Sequence, residues 1–186
     1  MPQVINWANR ITILRFFLVP PFVILIIYYH PGLEKLRIAA LIVFLVAALT
    51  DVIDGVIATL NKQKTQLGAF LDPAADKILL VSAFVCLSLA NRFSIRLPLW
   101  VPVIIISREI ILVLGLAIVH IVTGKIEIVP NFTGKVTTFF QMATVIAILV
   151  NFKYSYLIWD MAVFFTVISA ISYIRRESKR LTEQVA

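Results

Sequence analysis

Residues 37–60 read RIAALIVFLVAALTDVIDGVIATL, an apolar run broken in its second half by Asp51 and Asp54. A helix that crosses a bilayer needs about 20 predominantly apolar residues, and this run supplies them. Moving outward, five more apolar stretches stand at Ile11–Tyr29, Lys77–Ala90, Leu97–Val122, Thr133–Val150 and Tyr154–Tyr173. The connections are well marked: His30-Pro31-Gly32, a polar link over residues 61–66 with Lys62 and Lys64, residues 91–96, and Thr123-Gly124 with Pro130-Asn131. The third stretch is short, and residues 72–77 are expected to extend it. Pro20, Pro21 and Pro102 fall inside apolar runs and are read as kinks rather than ends. No small-residue cleavage site follows the first stretch, so it is expected to remain as a helix.

Composition agrees. Of 186 residues, 61% are hydrophobic and 15% charged, and mean hydropathy is +0.98. Too few polar residues are present to clothe a soluble core. A soluble domain, a disordered tail and a disulfide scaffold are all excluded, the last also by the single cysteine, Cys86. The expected architecture is an all-α polytopic membrane protein with six transmembrane helices, forming a single domain over residues 1–186.

Six spans put both termini on one side. That side carries Arg10, Lys62, Lys64, Lys125, Arg175, Arg176, Lys179 and Arg180, against Lys35, Arg37, Arg92, Arg96 and Lys153 opposite. The positive-inside rule places both termini in the cytoplasm. The formal charge of +7 is therefore assigned to topology and to anionic lipids or phosphate ligands, and no nucleic-acid partner is expected. Trp7, Trp100 and Trp159 lie where an aromatic belt would put them. Phe139-Phe140 and Phe164-Phe165 read as lipid-facing or packing residues.

The chemistry concentrates in the acids. Of five aspartates, Asp51, Asp54, Asp72 and Asp76 flank one connector, and only Asp160 stands apart. Carboxylates at membrane depth are costly, about 2.5–3.5 kcal/mol each at a helix centre, and four together also repel. They could sit among headgroups and pair with Lys62, Lys64 and Lys77, but four at this spacing favour a divalent cation. Asp51, Asp54 and Ala58 are spaced i, i+3, i+7, and Gly68, Asp72 and Asp76 i, i+4, i+8, so each set shares one helix face. A hairpin would turn both faces to one cleft. Oxygen donors without His or Cys suit Mg²⁺ or Mn²⁺ rather than zinc. Gly55 and Gly68 leave the cleft wall bare for a bulky ligand such as a nucleotide.

Asp51-Val-Ile-Asp54-Gly55-Val-Ile-Ala58, followed by Gly68-Ala-Phe-Leu-Asp72-Pro-Ala-Ala-Asp76, resembles the signature of the CDP-alcohol phosphatidyltransferases, D-x2-D-G-x2-A-R-x8-G-x3-D-x3-D. The stretch from Asn9 through Thr12 to Arg15, Thr50 before the first aspartate, Ser107-Arg108-Glu109, and Gly134-Lys135 to Gln141 resemble further segments of its phosphatidylglycerophosphate branch. Three positions depart: Thr59 replaces the signature Arg, Leu116 stands where that branch often has Arg, and Thr137 where it often has Lys.

The resemblance implies a metal-dependent transfer of a phosphatidyl group from CDP-diacylglycerol to an alcohol such as glycerol 3-phosphate, with release of CMP. It implies two Mg²⁺ or Mn²⁺ ions held by Asp51, Asp54, Asp72 and Asp76, with Asp76 also the general base. Thr50, Gly55, Ala58 and Gly68 would border the nucleotide. It further implies a homodimer in a bacterial inner or plasma membrane, contacting membrane lipids, with its active site facing the cytoplasm. The eukaryotic-type cardiolipin synthases, which use phosphatidylglycerol as acceptor, share the later segments and remain an alternative. A divalent-cation carrier and an enzyme disabled at Thr59 are the other readings.

An acceptor phosphate needs cations, and Arg108 and Lys135 are the candidates. Arg108 could instead pair internally with Glu109 or Asp160. Adjacent helix residues do not face each other, which counts against Glu109. Lys135 could be a snorkelling interfacial lysine. Arg15 is expected near the headgroups, and Asp160 as a structural hydrogen-bond partner.

Overall fold

The structure is a computed structural model that describes the backbone of residues 7–61, 66–123 and 132–185, and the side chains of residues 14–50, 77–115 and 132–178. Six helices and no strand occur among the described residues: α1 (Trp7–Tyr28), α2 (Glu34–Asn61), α3 (Gln66–Leu89), α4 (Trp100–Thr123), α5 (Phe132–Leu149) and α6 (Ser155–Val185). Each apolar run became one helix. The largest differences lie at two ends. Helix α3 starts at Gln66, well before Lys77, so Asp72 and Asp76 are helical. Helix α6 continues to Val185, because Arg, Glu, Lys and Leu are good helix formers and nothing after Tyr173 breaks the backbone pattern. By length and apolarity, α5 and the Ser155–Ser178 part of α6 are able to cross a membrane. Pro20 and Pro21 lie within α1. Pro102, expected to kink its helix, sits instead in the first turn of α4, where a missing N–H costs nothing.

The chain divides into two compact units, residues 1–97 with 145–152, and residues 98–144 with 153–186. In the first, α1 packs against both α2 and α3. Phe22, Ile26, Ala40, Phe44, Ala47, Leu79, Ala83 and Phe84 form its core, with the Phe22 and Phe44 rings 5.7 Å apart. On α2 the buried residues Ala40, Phe44 and Ala47 oppose an exposed stripe of Ile38, Ile42, Val46 and Leu49. A helix apolar on its outward face as well as its inward one suits contact with lipid, not water.

One end of this unit is tied down by polar contacts. Gly32 takes φ 115° in the turn between α1 and α2, a conformation open mainly to glycine. Tyr29 donates its hydroxyl to Glu34 (3.1 Å), and Glu34 pairs with Arg37 (2.8 Å). Arg37 in turn donates to the Leu149 carbonyl at the end of α5 (3.1 Å). Asn151 closes that end with φ 57°. The Phe152 and Asn151 amides reach back to the Ala147 and Ile148 carbonyls, the pattern of a left-handed helix cap.

The second unit is held differently. Helix α4 packs on α6; Val101, Ile105, Trp159 and Ala162 are buried, and so are the polar residues Thr137, Gln141, Thr144, Thr166 and Ser169. Trp159 is thus a core residue, not part of a belt, whereas Trp100 is half exposed. Gln141 donates to the Thr166 hydroxyl (3.3 Å), which itself donates to the Ala162 carbonyl (2.6 Å). Phe140 and Phe165 stack with centroids 5.1 Å apart, while Phe139 and Phe164 point outward. Small polar residues joining helices are the expected glue where lipid offers no hydrophobic gain.

Candidate active site

Helix α2 carries Asp51, Asp54, Gly55 and Ala58 in its second half, and α3 carries Gly68, Asp72 and Asp76 in its first. The side chains of these seven lie outside the described residues. Their backbones are helical throughout, so the i, i+3 and i, i+4 spacings put these positions on one face of each helix. Oxygen donors of this kind are the chemistry that Mg²⁺ or Mn²⁺ takes. Just before them, the Thr50 hydroxyl sits 2.7 Å from the Ala47 carbonyl and 3.0 Å from that of Val46. Its proton is used by its own helix.

Arg108 is the best-defined polar group of the second unit. It lies on α4 with 8% of its surface exposed. Its Nη1 is paired with Glu109, and its Nη2 donates to Ser169 Oγ on α6 (3.0 Å). Its Nε is buried and, among the described residues, has no hydrogen-bond partner. The first turn of α5 lies alongside, since a Cβ at Gly134 would stand 3.4 Å from Arg108 Nη2. Lys135 follows and is exposed. The structure therefore brings Arg108 and the Gly134-Lys135 turn together.

Several expectations change. Glu109 is the partner of Arg108 despite the adjacent positions, as Glu177 is for Arg176 (3.0 Å). The spacing rule describes Cβ directions; a long arginine arm can turn back, and a largely buried pair gains more from doing so. Asp160 is exposed and pairs with nothing among the described residues. Arg15, expected near the headgroups, is wholly buried within the protein. Thr137, at a position where the phosphatidylglycerophosphate branch often has lysine, is wholly buried too. Sequence reasoning missed Ser169, because nothing in a lone serine 61 residues away marks it as the neighbour of Arg108.

A family model described as CDP-alcohol phosphatidyltransferase matches residues 5–169. A CDP-diacylglycerol–glycerol-3-phosphate 3-phosphatidyltransferase of Bacillus subtilis is 35% identical, over 95% of this chain and 97% of its own. A Mycobacterium tuberculosis protein named "Probable phosphatidylglycerophosphate synthase" is 31% identical, over 94% of this chain and 82% of its own. A Haemophilus influenzae protein bearing the same name as the Bacillus one is 42% identical over 103 residues, about half of each chain.

Proposed function

The chain belongs to the CDP-alcohol phosphatidyltransferase family, and on that premise we propose that it transfers the phosphatidyl group of CDP-diacylglycerol to glycerol 3-phosphate, giving phosphatidylglycerophosphate and CMP. The observation that carries this reading is the set of seven signature positions on two continuous helices, within a chain similar over nearly its full length to a relative named for that reaction. The relatives' names favour glycerol 3-phosphate over phosphatidylglycerol as acceptor.

Asp51, Asp54 and Asp72 would hold the divalent ions, with Asp76 completing the set. Bound there, the ions would neutralise the diphosphate and polarise the attacked phosphorus. Asp76 takes the proton from the acceptor's primary hydroxyl. That oxygen forms the new bond to the phosphorus bearing the diacylglycerol, and the bond to the CMP phosphate breaks. Gly55, Ala58 and Gly68 leave space for the nucleotide, and Thr50 can offer it only an acceptor. Arg108 and Lys135 bind the phosphate of the acceptor. The outward apolar stripe of α2 and the length of α5 and α6 support an integral membrane protein. In it six helices span, both termini are cytoplasmic, the site opens to the cytoplasm, and two copies associate.

The test is CMP release by the purified protein in lipid nanodiscs containing CDP-diacylglycerol, with acceptors supplied in parallel. Release that requires both glycerol 3-phosphate and Mg²⁺ or Mn²⁺ is expected. Release with phosphatidylglycerol alone would move the assignment to cardiolipin synthesis. No release with any acceptor would defeat the proposal.

A further inference from the structure

Arg108 is held by two partners, and its third nitrogen is buried with none among the described residues. Glu109 takes Nη1 and Ser169 Oγ takes Nη2 at 3.0 Å, while Nε remains buried without a hydrogen-bond partner among the described residues. A guanidinium is a rigid plane with five donors, so two fixed contacts from different helix positions set its orientation. The remaining Nε edge is a donor pair of the kind that meets two phosphate oxygens at once. Bidentate contact depends on the angle of that plane, whereas a single ammonium contact would not. Gly134 adds to the arrangement, because it presents no side chain to Nη2, from which even a Cβ would stand only 3.4 Å away.

The two partners differ in what they contribute. Glu109 supplies the counter-charge that lets a guanidinium be buried. Ser169, itself 1% exposed, is neutral and orients the plane without repelling an incoming phosphate. A second carboxylate in its place would do the opposite.

We propose that Ser169 is a positioning residue for the acceptor: it holds the Arg108 guanidinium so that its Nε edge meets the phosphate of glycerol 3-phosphate. This rests on the reading of Arg108 as an acceptor ligand. Loss of one hydrogen bond to a charged group corresponds to about a tenfold change.

The experiment measures CMP release in nanodiscs for the unaltered chain, Ser169→Ala, Arg108→Ala and the double variant, each first checked for unchanged elution and thermal unfolding. Ser169→Ala should raise KM for glycerol 3-phosphate about tenfold, and leave kcat and KM for CDP-diacylglycerol within about twofold. Ser169→Thr, which restores the hydroxyl, should recover most of the loss. In the Arg108→Ala background the serine change should add nothing. Equal effects of Ser169→Ala in both backgrounds, or a fall in kcat with KM unmoved, would overturn the proposal. A raised KM in Arg108→Ala but none in Ser169→Ala would defeat the role of Ser169 alone. An unchanged KM in Arg108→Ala would defeat the acceptor reading itself. Should Ser169→Ala fail to fold, Ser169→Cys, which keeps the volume and weakens the acceptor, is judged by the same criteria.

Discussion

Thr137 on α5 places its hydroxyl 3.0 Å from the Phe165 carbonyl of α6, and 2.8 Å from the Thr133 carbonyl of its own helix. The residue is wholly buried. At a position where the phosphatidylglycerophosphate branch often has lysine, this chain thus has a short polar link between two helices. The same face of α5 continues with Gln141 and Thr144, both buried.

Thr137→Lys should therefore not restore a phosphate ligand. It removes the link and buries an ammonium, a change on the order of 3–5 kcal/mol when the charge finds no partner. Thr137→Val, which keeps the shape, should cost about 1 kcal/mol. Thermal unfolding in nanodiscs reads both. A lysine variant of full stability with a lowered KM for glycerol 3-phosphate would show that a cation fits there after all.

Gly115 is fitted against Tyr173, whose hydroxyl donates to the Leu112 carbonyl at 3.2 Å. An alanine at 115 would put its Cβ 2.7 Å from the ring edge and 2.9 Å from the hydroxyl oxygen. Overpacking of this kind costs roughly 1–3 kcal/mol. Gly115→Ala should lower the unfolding temperature, and the penalty should vanish in a Tyr173→Ala background, since the two changes share one contact. An additive pair would show the clash to be elsewhere.

Asp76→Asn should abolish turnover while CDP-diacylglycerol binding persists, because an amide keeps the shape and loses the base. Chelation should also abolish turnover in the unaltered chain, reversibly on return of Mg²⁺ or Mn²⁺. Equilibrium binding of a labelled CDP-diacylglycerol separates the two effects. A parallel loss of binding in Asp76→Asn would make that residue chiefly a metal ligand.

Thr59 stands where the signature has arginine. If the diphosphate lacks a cation there, Thr59→Arg should lower KM for CDP-diacylglycerol by about tenfold, the worth of one charge-assisted bond. An unchanged KM would indicate that another basic group already serves.

Much was legible in the chain itself. The six apolar runs became six helices, and the four aspartate positions fall on helical backbone, where i, i+3 and i, i+4 positions share a face. The ends of α3 and α6 were less legible, because hydropathy stops where the apolar residues stop, while the helical backbone continues through Asp72-Pro73 and through Arg175-Arg176.

The partners of the buried polar groups were decided only by tertiary structure. Arg108 meets Ser169 from 61 residues away, Thr137 meets Phe165, Arg37 meets the last turn of α5, and Arg15 is enclosed by the protein. In water, hydrophobic periodicity would show which face of each helix turns inward. Here α2 is apolar on its buried face and its exposed one alike, so composition does not set the rotation of the helix. Close packing and pairing of the few polar side chains set it instead, and those depend on residues far apart in the chain.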